Sequence, residues 1–154
     1  MGTDTLVYLG RRVMGKPTSA DEAGEMLAAL SGRTHRVVSG VALARTAGAA
    51  KAEDEGEVRL AHAVTEVTFS VLEKSQIAAY VGCGEWRGKA GAYAVQGLAG
   101  LFVAGMRGEY SNVVGLPLHM LSELFPELGF DLVRREWSRG VGGGRIGRAQ
   151  SQCV

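Results

Sequence analysis

A few side chains in this sequence could bind a divalent cation, accept a proton from water or contact a phosphate, although each of them alone has a simpler explanation. Asp4 begins a β-rich apolar run, where a carboxylate can bind a divalent cation or accept a proton from water. An aspartate at a strand end can equally cap a turn. Lys16 stands between a glycine and a proline, so its ammonium can meet a phosphate in a tight loop or remain in solvent. Neither residue decides a function by itself.

The segment 85–97 supplies further polar groups in one short, glycine-rich stretch. It contains a carboxylate at Glu85, a second lysine at Lys89 and an amide at Gln96. The amide can both donate and accept hydrogen bonds, which suits contact with a nucleobase edge or a phosphate oxygen. A compact domain seldom keeps such a stretch unless it folds around a ligand, and a plain connecting loop is the alternative. The common motifs of phosphate loops, serine hydrolases, zinc proteases and dinucleotide binding do not occur.

The elements that must position these residues alternate between strand and helix patterns, which indicates an α/β or α+β architecture. The apolar run 4–9, ended by Gly10, predicts a buried strand. Two longer β-branched runs at 35–43 and 58–69 predict antiparallel neighbours, joined by a mobile segment at 46–56.

Two helices are predicted around these strands. Ser19 and Glu22 have the capping-box pattern of a helix start. The inner positions of that helix have i, i+3, i+4, i+7 spacing: Ala23, Met26, Leu27 and Leu30. A second helical pattern covers 73–81, and we expect Gly82 and Gly84 to break it.

The C-terminal part is predicted to hold a buried apolar run, a last helix and a tail. The buried run covers 98–106, and Pro117 suits the first turn of the helix that follows. The inner stripe of this helix is Leu118, Leu121, Leu124 and Phe125. Residues 138–154 are rich in glycine and arginine with little apolar surface to bury, which predicts a disordered tail after a domain of residues 1–137.

The bulk composition fits one domain and excludes several classes of partner. A chain of 154 residues with 46% hydrophobic content is enough for a single core. The formal charge of +1 gives no reason to expect a nucleic acid or an anionic membrane as partner. Cys83 and Cys153 lie far apart without metal-ligand spacing, as in reduced cytosolic proteins, so we expect a cytoplasmic location. The histidines are expected to be structural or exposed: His35, His62 and His119.

Five blocks of sequence, in this order, resemble the Maf-like family of nucleoside triphosphate pyrophosphatases over residues 3–129. They are Asp4-Thr5-Leu6-Val7, Gly15-Lys16-Pro17, Leu30-Ser31-Gly32-Arg33-Thr34-His35-Arg36-Val37, Glu85-Trp86-Arg87-Gly88-Lys89-Ala90-Gly91-Ala92-Tyr93-Ala94-Val95-Gln96-Gly97 and Tyr110-Ser111-Asn112-Val113-Val114-Gly115-Leu116-Pro117. The order of five blocks is specific where any one of them is not.

The resemblance implies a fold and a reaction. The implied fold is α/β, a twisted mixed sheet with flanking helices, as in inosine triphosphate pyrophosphatases. The implied reaction is hydrolysis of a nucleoside triphosphate between the α and β phosphates, giving the monophosphate and pyrophosphate with Mg²⁺ or Mn²⁺. A Thr after the catalytic Asp looks like the branch that prefers dTTP, UTP or modified pyrimidine triphosphates. Family members often form homodimers.

The resemblance also assigns roles to matching positions. Asp4 is expected to activate water as the proton acceptor and to lie beside the metal as its ligand, and Lys16 is expected to neutralise phosphate charge. Four further positions are expected to bind substrate, the first two by shaping base selection and the last two by completing the pocket: Thr5, Gln96, Glu85 and Lys89.

One departure from the family pattern leaves alternatives open. Family members normally begin with a strand and a Ser-x-Ser-Pro-Arg-Arg loop that holds the triphosphate, and this chain has neither before Asp4. We therefore expect an N-terminally truncated relative. The alternatives to a working pyrophosphatase are a catalytically impaired nucleotide-binding remnant and a regulatory protein of cell division, as the family's association with septum formation suggests.

Overall fold

The computed structural model describes residues 1–45 and 57–138. The predicted mobile segment 46–56, Cys153 and all of the predicted tail except Ser138 lie outside the described residues. The strands are β1 (Gly2–Leu9), β2 (Arg12–Met14), β3 (Thr34–Arg45), β4 (Glu57–Phe69), β5 (Val103–Arg107), β6 (Phe130–Asp131) and β7 (Glu136–Trp137). The helices are α1 (Ala20–Leu30), α2 (Lys74–Cys83), α3 (Tyr110–Val114) and α4 (Leu118–Glu127), with short 3₁₀ helices at Ala90–Ala92 and Leu98–Phe102. The expected α/β class is confirmed.

Five of these strands form one sheet in the order β2-β1-β3-β4-β5. Each neighbouring pair in it is antiparallel, so the parallel neighbours that a mixed sheet needs do not occur among residues 1–45 and 57–138. The reason is local for the first pair, because Gly10 adopts φ +60° and turns β1 directly back into β2. The predicted pairing of the two long strands is confirmed, and it runs from Thr34 opposite Thr68 to Arg45 opposite Glu57.

Helix α1 begins as its sequence predicts, with one change in its cap. Ser19 is the N-cap residue, and its Oγ accepts a hydrogen bond from the Glu22 N–H at 3.1 Å. The Glu22 carboxylate does not return the bond to Ser19. It accepts from the N–H of Thr18 at 2.7 Å and from the Thr18 hydroxyl at 2.8 Å, and these bonds hold the pKa of Glu22 below its usual value. The four predicted inner positions of α1 are buried.

One expectation about a helix end and two about burial are wrong. Gly82 lies inside α2 because one glycine in an exposed helical position costs only about 1 kcal/mol, and Gly84 at φ +79° ends the helix instead. In the run expected to be buried, Leu98 and Leu101 are 51% and 82% exposed, because they lie in a 3₁₀ helix that leads into the edge strand β5. Leu118 is 57% exposed because α4 packs on the sheet through later positions.

The core consists of two apolar clusters on one face of the sheet. The first joins β1, β3 and β4 to α1 and includes Val7, Met26, Leu27, Leu30, Val37, Val67 and Phe69. The second joins β3 to α4 and consists of Val41, Leu43, Leu121, Leu124 and Leu128. On β3 the wholly buried Ser39 separates Val37 from Val41, so a polar row lies between the two clusters.

The opposite face of the sheet is open in the described part of the chain. On β4 the side chains of Val58, Leu60 and Val64 are 54%, 76% and 47% exposed. Arg36 and Glu66 form an ion pair across β3 and β4 at 3.3 Å on the same face. None of the helices in residues 1–45 and 57–138 is both long enough and apolar enough to cross a membrane.

Candidate active site

A cleft lies beside the N-terminal half of β1, with a volume of ≈ 180 Å³. β3 pairs with one edge of β1 from Gly2 to Tyr8, and β2 pairs with the other edge only from Val7 to Leu9. On that second edge, residues 2–6 therefore have no strand partner among the described residues. The lining residues are Thr3, Asp4, Thr5, Val7, Lys16, Val37, Gly88, Lys89, Ala90, Tyr93, Val113 and Val114. Because small-molecule sites usually reach roughly 300–1,000 Å³, a cleft of this size can enclose part of a nucleotide, such as its base.

The cleft has a charged part and an apolar part. Asp4 and Lys16 are exposed and Lys89 is half-buried, so their charges face water at the rim. The buried wall consists mainly of apolar and aromatic side chains: Val7, Val37, Tyr93 and the half-buried Val113. Successive side chains of a strand alternate between faces, so Asp4 and Thr5 reach the cleft from opposite sides of β1. Such a site suits a ligand with an anionic end and a flat, less polar end.

The loops that carry the two lysines are held together by their backbones. The Gly91 N–H donates to the Gly15 carbonyl at 3.0 Å, which ties the residue before Lys16 to the segment that follows Lys89. Gly91 adopts φ +69°, and a Cβ at that position would lie 2.9 Å from a Val7 methyl group. Only glycine lets this segment approach β1 so closely, and the approach sets both lysines beside the strand.

The inner wall of the cleft rests on a buried polar network. The hydroxyl groups of Thr5 and Ser39 are 2.8 Å apart, and the Ser39 hydroxyl donates to the backbone carbonyl of Asn112 at 3.1 Å. The Asn112 amide donates to the Val37 carbonyl at 3.1 Å and to the Thr65 hydroxyl at 2.9 Å. Asn112 belongs to α3, whose Val113 and Val114 line the cleft. The network therefore fixes the position of that wall relative to β1 and β3.

The structure brings together four of the six predicted site residues, Asp4, Thr5, Lys16 and Lys89. The other two, Glu85 and Gln96, do not line the cleft. The Glu85 carboxylate accepts a hydrogen bond from the Leu98 N–H at 2.9 Å, and a Cβ on Gly97 would overlap the carboxylate. Glu85 therefore holds the backbone beside Gln96. The predicted roles of all six residues in binding substrate stay predictions.

Comparison with known proteins places this chain in a family. The family described as Maf-like protein matches residues 1–128 of the chain. The chain belongs to the Maf-like family. The dTTP/UTP pyrophosphatase of Xanthomonas euvesicatoria is 50% identical to it over 129 residues, which cover 84% of this chain and 64% of that protein. The proteins of the same description in Agrobacterium fabrum and Moorella thermoacetica are 43% and 48% identical, over 91% and 90% of this chain and 63% and 66% of their own length. The Maf-like chain thus spans less than two thirds of these relatives.

The cleft of the Maf-like chain offers one carboxylate that could serve as a protein ligand for a divalent cation. Asp4 is the one carboxylate among the lining residues, and in the described part of the chain no three histidine, cysteine or acidic side chains cluster as metal ligands do. Mg²⁺ is commonly held by one or two carboxylates together with substrate phosphates and water. Asp4 can therefore supply a protein oxygen to such an ion, and the phosphates would supply others.

Three residues that line or support the cleft have no chemical role in the sequence analysis. They are Ser39, Asn112 and Tyr93, which are all buried. Ser39 interrupts an apolar stretch and Asn112 directly precedes one, and a polar residue at such a place is the signal that could have drawn attention to them. A polar side chain among apolar ones indicates a buried hydrogen bond, but it does not indicate the partner.

Tyr93 is held at the cleft by the buried His35. The His35 Nε2 and the Tyr93 hydroxyl are 2.8 Å apart, and the Phe69 ring stands edge-on against both rings. The His35 Nδ1 has no hydrogen-bond partner among the described residues. Burial lowers the pKa of His35 to about 4 and raises the pKa of the Tyr93 hydroxyl. The expectation that His35 is structural agrees with these contacts.

We expect His35 to make the fold sensitive to acid. The unfolded chain takes up a proton at His35 as the pH falls below about 6.5, whereas the folded protein resists protonation there until about pH 4. The free energy of unfolding therefore has its full value above pH 6.5 and decreases as the pH falls towards 4. The loss corresponds to roughly 3 kcal/mol. Urea unfolding at several pH values should show a smaller fall in His35→Gln than in the parent. His62→Gln, at an exposed histidine, should keep the parent's fall, and parallel curves for the parent and His35→Gln would contradict the assignment.

Proposed function

We propose that this chain is a nucleoside triphosphate pyrophosphatase that hydrolyses dTTP, UTP or modified pyrimidine triphosphates to the monophosphate and pyrophosphate. The observation that carries the proposal is the cleft in which Asp4, Lys16 and Lys89 form a charged rim beside an apolar wall. The rim suits a triphosphate and the wall suits a base. Relatives described as dTTP/UTP pyrophosphatases are up to 50% identical over most of this chain, which supports this substrate class.

Asp4 is the proposed proton acceptor. Water is a poor nucleophile at neutral pH, and an exposed carboxylate at the rim can take its proton as it attacks a phosphorus atom. The proposed cofactor is Mg²⁺ or Mn²⁺, with Asp4 as its protein ligand. Such an ion, when bound, would neutralise charge that develops on the phosphates. The lysines at the rim hold the triphosphate by charge.

Lys16→Ala is expected to lower kcat/KM for dTTP and UTP by about 10- to 100-fold. The reason is the loss of a charge-assisted contact to the phosphates, which typically contributes about 1.5–3 kcal/mol. Binding and turnover should both suffer, because the contact exists before and during the reaction. Lys74→Ala is the matched control, since it removes an exposed lysine at the start of α2 that does not line the cleft. Equal kcat/KM values for Lys16→Ala and the parent would contradict the role of Lys16.

The assay that tests the proposed function is pyrophosphate release from dTTP and UTP with Mg²⁺ or Mn²⁺, together with nucleotide binding. Release in the parent supports the enzyme. Binding without release would favour the alternative of a nucleotide-binding protein without turnover, and neither binding nor release would contradict both. A regulatory role in cell division would then be the remaining alternative.

We further propose that the chain acts in the cytoplasm on its nucleotide, without a nucleic acid or membrane partner, and that two copies associate as a homodimer. The formal charge of +1 gives no reason to expect a nucleic acid or an anionic membrane as partner. The exposed apolar row of Val58, Leu60 and Val64 supports the homodimer, because removing such a surface from water is favourable. Sedimentation velocity that finds only monomer at micromolar concentration would contradict the dimer.

A further inference from the structure

Asp4 lines the cleft, but its side chain leaves β1 on the open face of the sheet. Successive side chains of a strand alternate between faces, and Asp4 lies three positions before Val7, which is buried in the core on the other face. The carboxylate of Asp4 is exposed. The carboxylate that the proposed reaction needs therefore faces a different surface from the apolar wall of the cleft.

Strand register places a histidine on the same row of that face. Asp4 of β1 pairs with Gly40 of β3, and Gly40 pairs with His62 of β4. All three residues are exposed. Two strand spacings, about 10 Å between Cα atoms, separate the aspartate from the histidine. Because the residue between them is a glycine, no side chain fills the middle of the row.

The gap over Gly40 is open space between apolar side chains. A Cβ at Gly40 would meet no atom of the described residues within 4 Å, and the φ of Gly40 is not positive. The backbone conformation therefore does not require glycine at this position. Val38 and Ala42, two positions away on either side, are half-buried and bound the gap along β3. We call this gap between Asp4 and His62 the Gly40 slot.

The slot is accessible from the cleft. The apolar wall of the cleft lies on the core side of β1, and the slot lies on the open side. Between them is the edge of β1 at residues 2–6, which has no strand partner among the described residues. A nucleotide with its base against the wall can therefore cross this edge and place its phosphates over Gly40.

We propose that the phosphate under attack binds in the Gly40 slot and that His62 is a further catalytic residue there. A span of about 10 Å accommodates a carboxylate, one water and one phosphoryl group in line, with an imidazole N–H at hydrogen-bond distance from a phosphoryl oxygen. Imidazole has an N–H to donate in its neutral and in its protonated form. This inference rests on the proposed function and adds a residue and a location to it.

The step is a displacement at phosphorus. The water oxygen forms a bond to the phosphorus atom, and the proton of the water passes to the Asp4 carboxylate. The bond from phosphorus to the pyrophosphate oxygen breaks, and pyrophosphate leaves with its electron pair. His62 donates a hydrogen bond to an oxygen of the phosphoryl group, where negative charge must be stabilised during the displacement.

Single-turnover release of pyrophosphate from UTP tests both residues. His62→Ala should lower the rate at least about tenfold, and His62→Gln, which keeps an N–H donor, should stay within about threefold of the parent. Gly40→Ala should also lower the rate at least about tenfold, because its methyl group displaces the phosphoryl group. Its Tm should match the parent's, because the added Cβ meets no neighbour. Nanomolar protein, below the micromolar range of the proposed dimer, keeps a second copy from covering this face.

Gly105→Ala and His119→Ala are the matched controls. Gly105 lies in β5, and a Cβ there would also meet no atom of the described residues within 4 Å. His119 is an exposed histidine of α4. Neither residue belongs to the row of the slot, so both variants should keep the parent rate.

A measurement without turnover locates the phosphates. Diethyl pyrocarbonate modifies exposed histidines, and mass spectrometry of peptides measures the modification of each one. The analogue α,β-methylene-UTP, which resists cleavage at that bond, should slow the modification of His62 in the parent severalfold and leave His119 unchanged. Unchanged modification of His62 with saturating analogue, or a parent-like rate in His62→Ala or in Gly40→Ala, would overturn this inference and leave the proposed function standing. A parent that releases no pyrophosphate would overturn both.

Discussion

Asp4→Asn is expected to lower the rate of pyrophosphate release from dTTP and UTP by at least about a hundredfold while nucleotide binding largely survives. The substitution keeps the size of the side chain and removes the group that accepts the proton of water, and general-base catalysis typically contributes 10²–10⁴-fold (roughly) to a rate. Lys16 and Lys89 would still meet the phosphates in the ground state, so kcat should fall much more than affinity.

The measurement is single-turnover release of pyrophosphate with saturating Mg²⁺ or Mn²⁺. Asp21→Asn is the matched control, because Asp21 is an exposed aspartate in the first turn of α1 that does not line the cleft. The same pair should also be compared in a chimera that adds the part of the Xanthomonas relative that this chain does not match, since the chain covers 64% of that protein. An Asp4→Asn protein that hydrolyses dTTP and UTP at the parent rate in both forms would show that Asp4 is not the base.

Asn112→Ala is expected to lower the free energy of unfolding by about 2–4 kcal/mol. Asn112 is wholly buried, and its loss would leave the Val37 carbonyl without the amide donor and remove a donor to the Thr65 hydroxyl. In a protein of this size such a loss lowers Tm by roughly 5–15 °C. Because α3 would lose its side-chain hydrogen bonds to β3 and β4, its cleft-lining residues would be less firmly positioned, and nucleotide affinity should fall as well.

Thermal and urea unfolding of the parent and the variant would measure this effect. Gln96→Ala is the control for loss of an amide side chain, since Gln96 is exposed and its replacement should change stability by less than about 0.5 kcal/mol. If Asn112→Ala were as stable as the parent, the hydrogen bonds of the Asn112 amide would not contribute to the stability of the fold.

Local patterns predicted several elements of this fold well. The four inner positions of α1 are buried where their spacing places them, and Gly10 ends β1 where the apolar run stops. These predictions hold because a cap, a turn and a period depend only on residues within one or two turns of each other. They fail where an element's neighbour decides exposure, as at Leu118 and Leu101.

The candidate site was only partly accessible to the same reasoning. Residue chemistry and the resemblance pointed to Asp4, Thr5, Lys16 and Lys89, and the folded chain brings these four to one cleft. They also pointed to Glu85 and Gln96, which the chain places outside the lining, because the Glu85 carboxylate accepts a hydrogen bond from the backbone at Leu98. A side chain's chemical type shows what it can bind, but the nearest competing partner determines whether it is free to do so.

The sequence by itself determined which chemistry is available here: a carboxylate at the start of an apolar strand, lysines in two loops, helix caps and the family to which the chain belongs. The tertiary structure alone decided how that chemistry is oriented. Thr5 and Ser39 are 34 positions apart in sequence, and Ser39 and Asn112 are 73 apart, yet they form one chain of hydrogen bonds. The physical reason is that a hydroxyl group can donate in any direction until strand register and packing place an acceptor beside it. The partner that each of these hydroxyl groups meets is therefore a property of the folded chain.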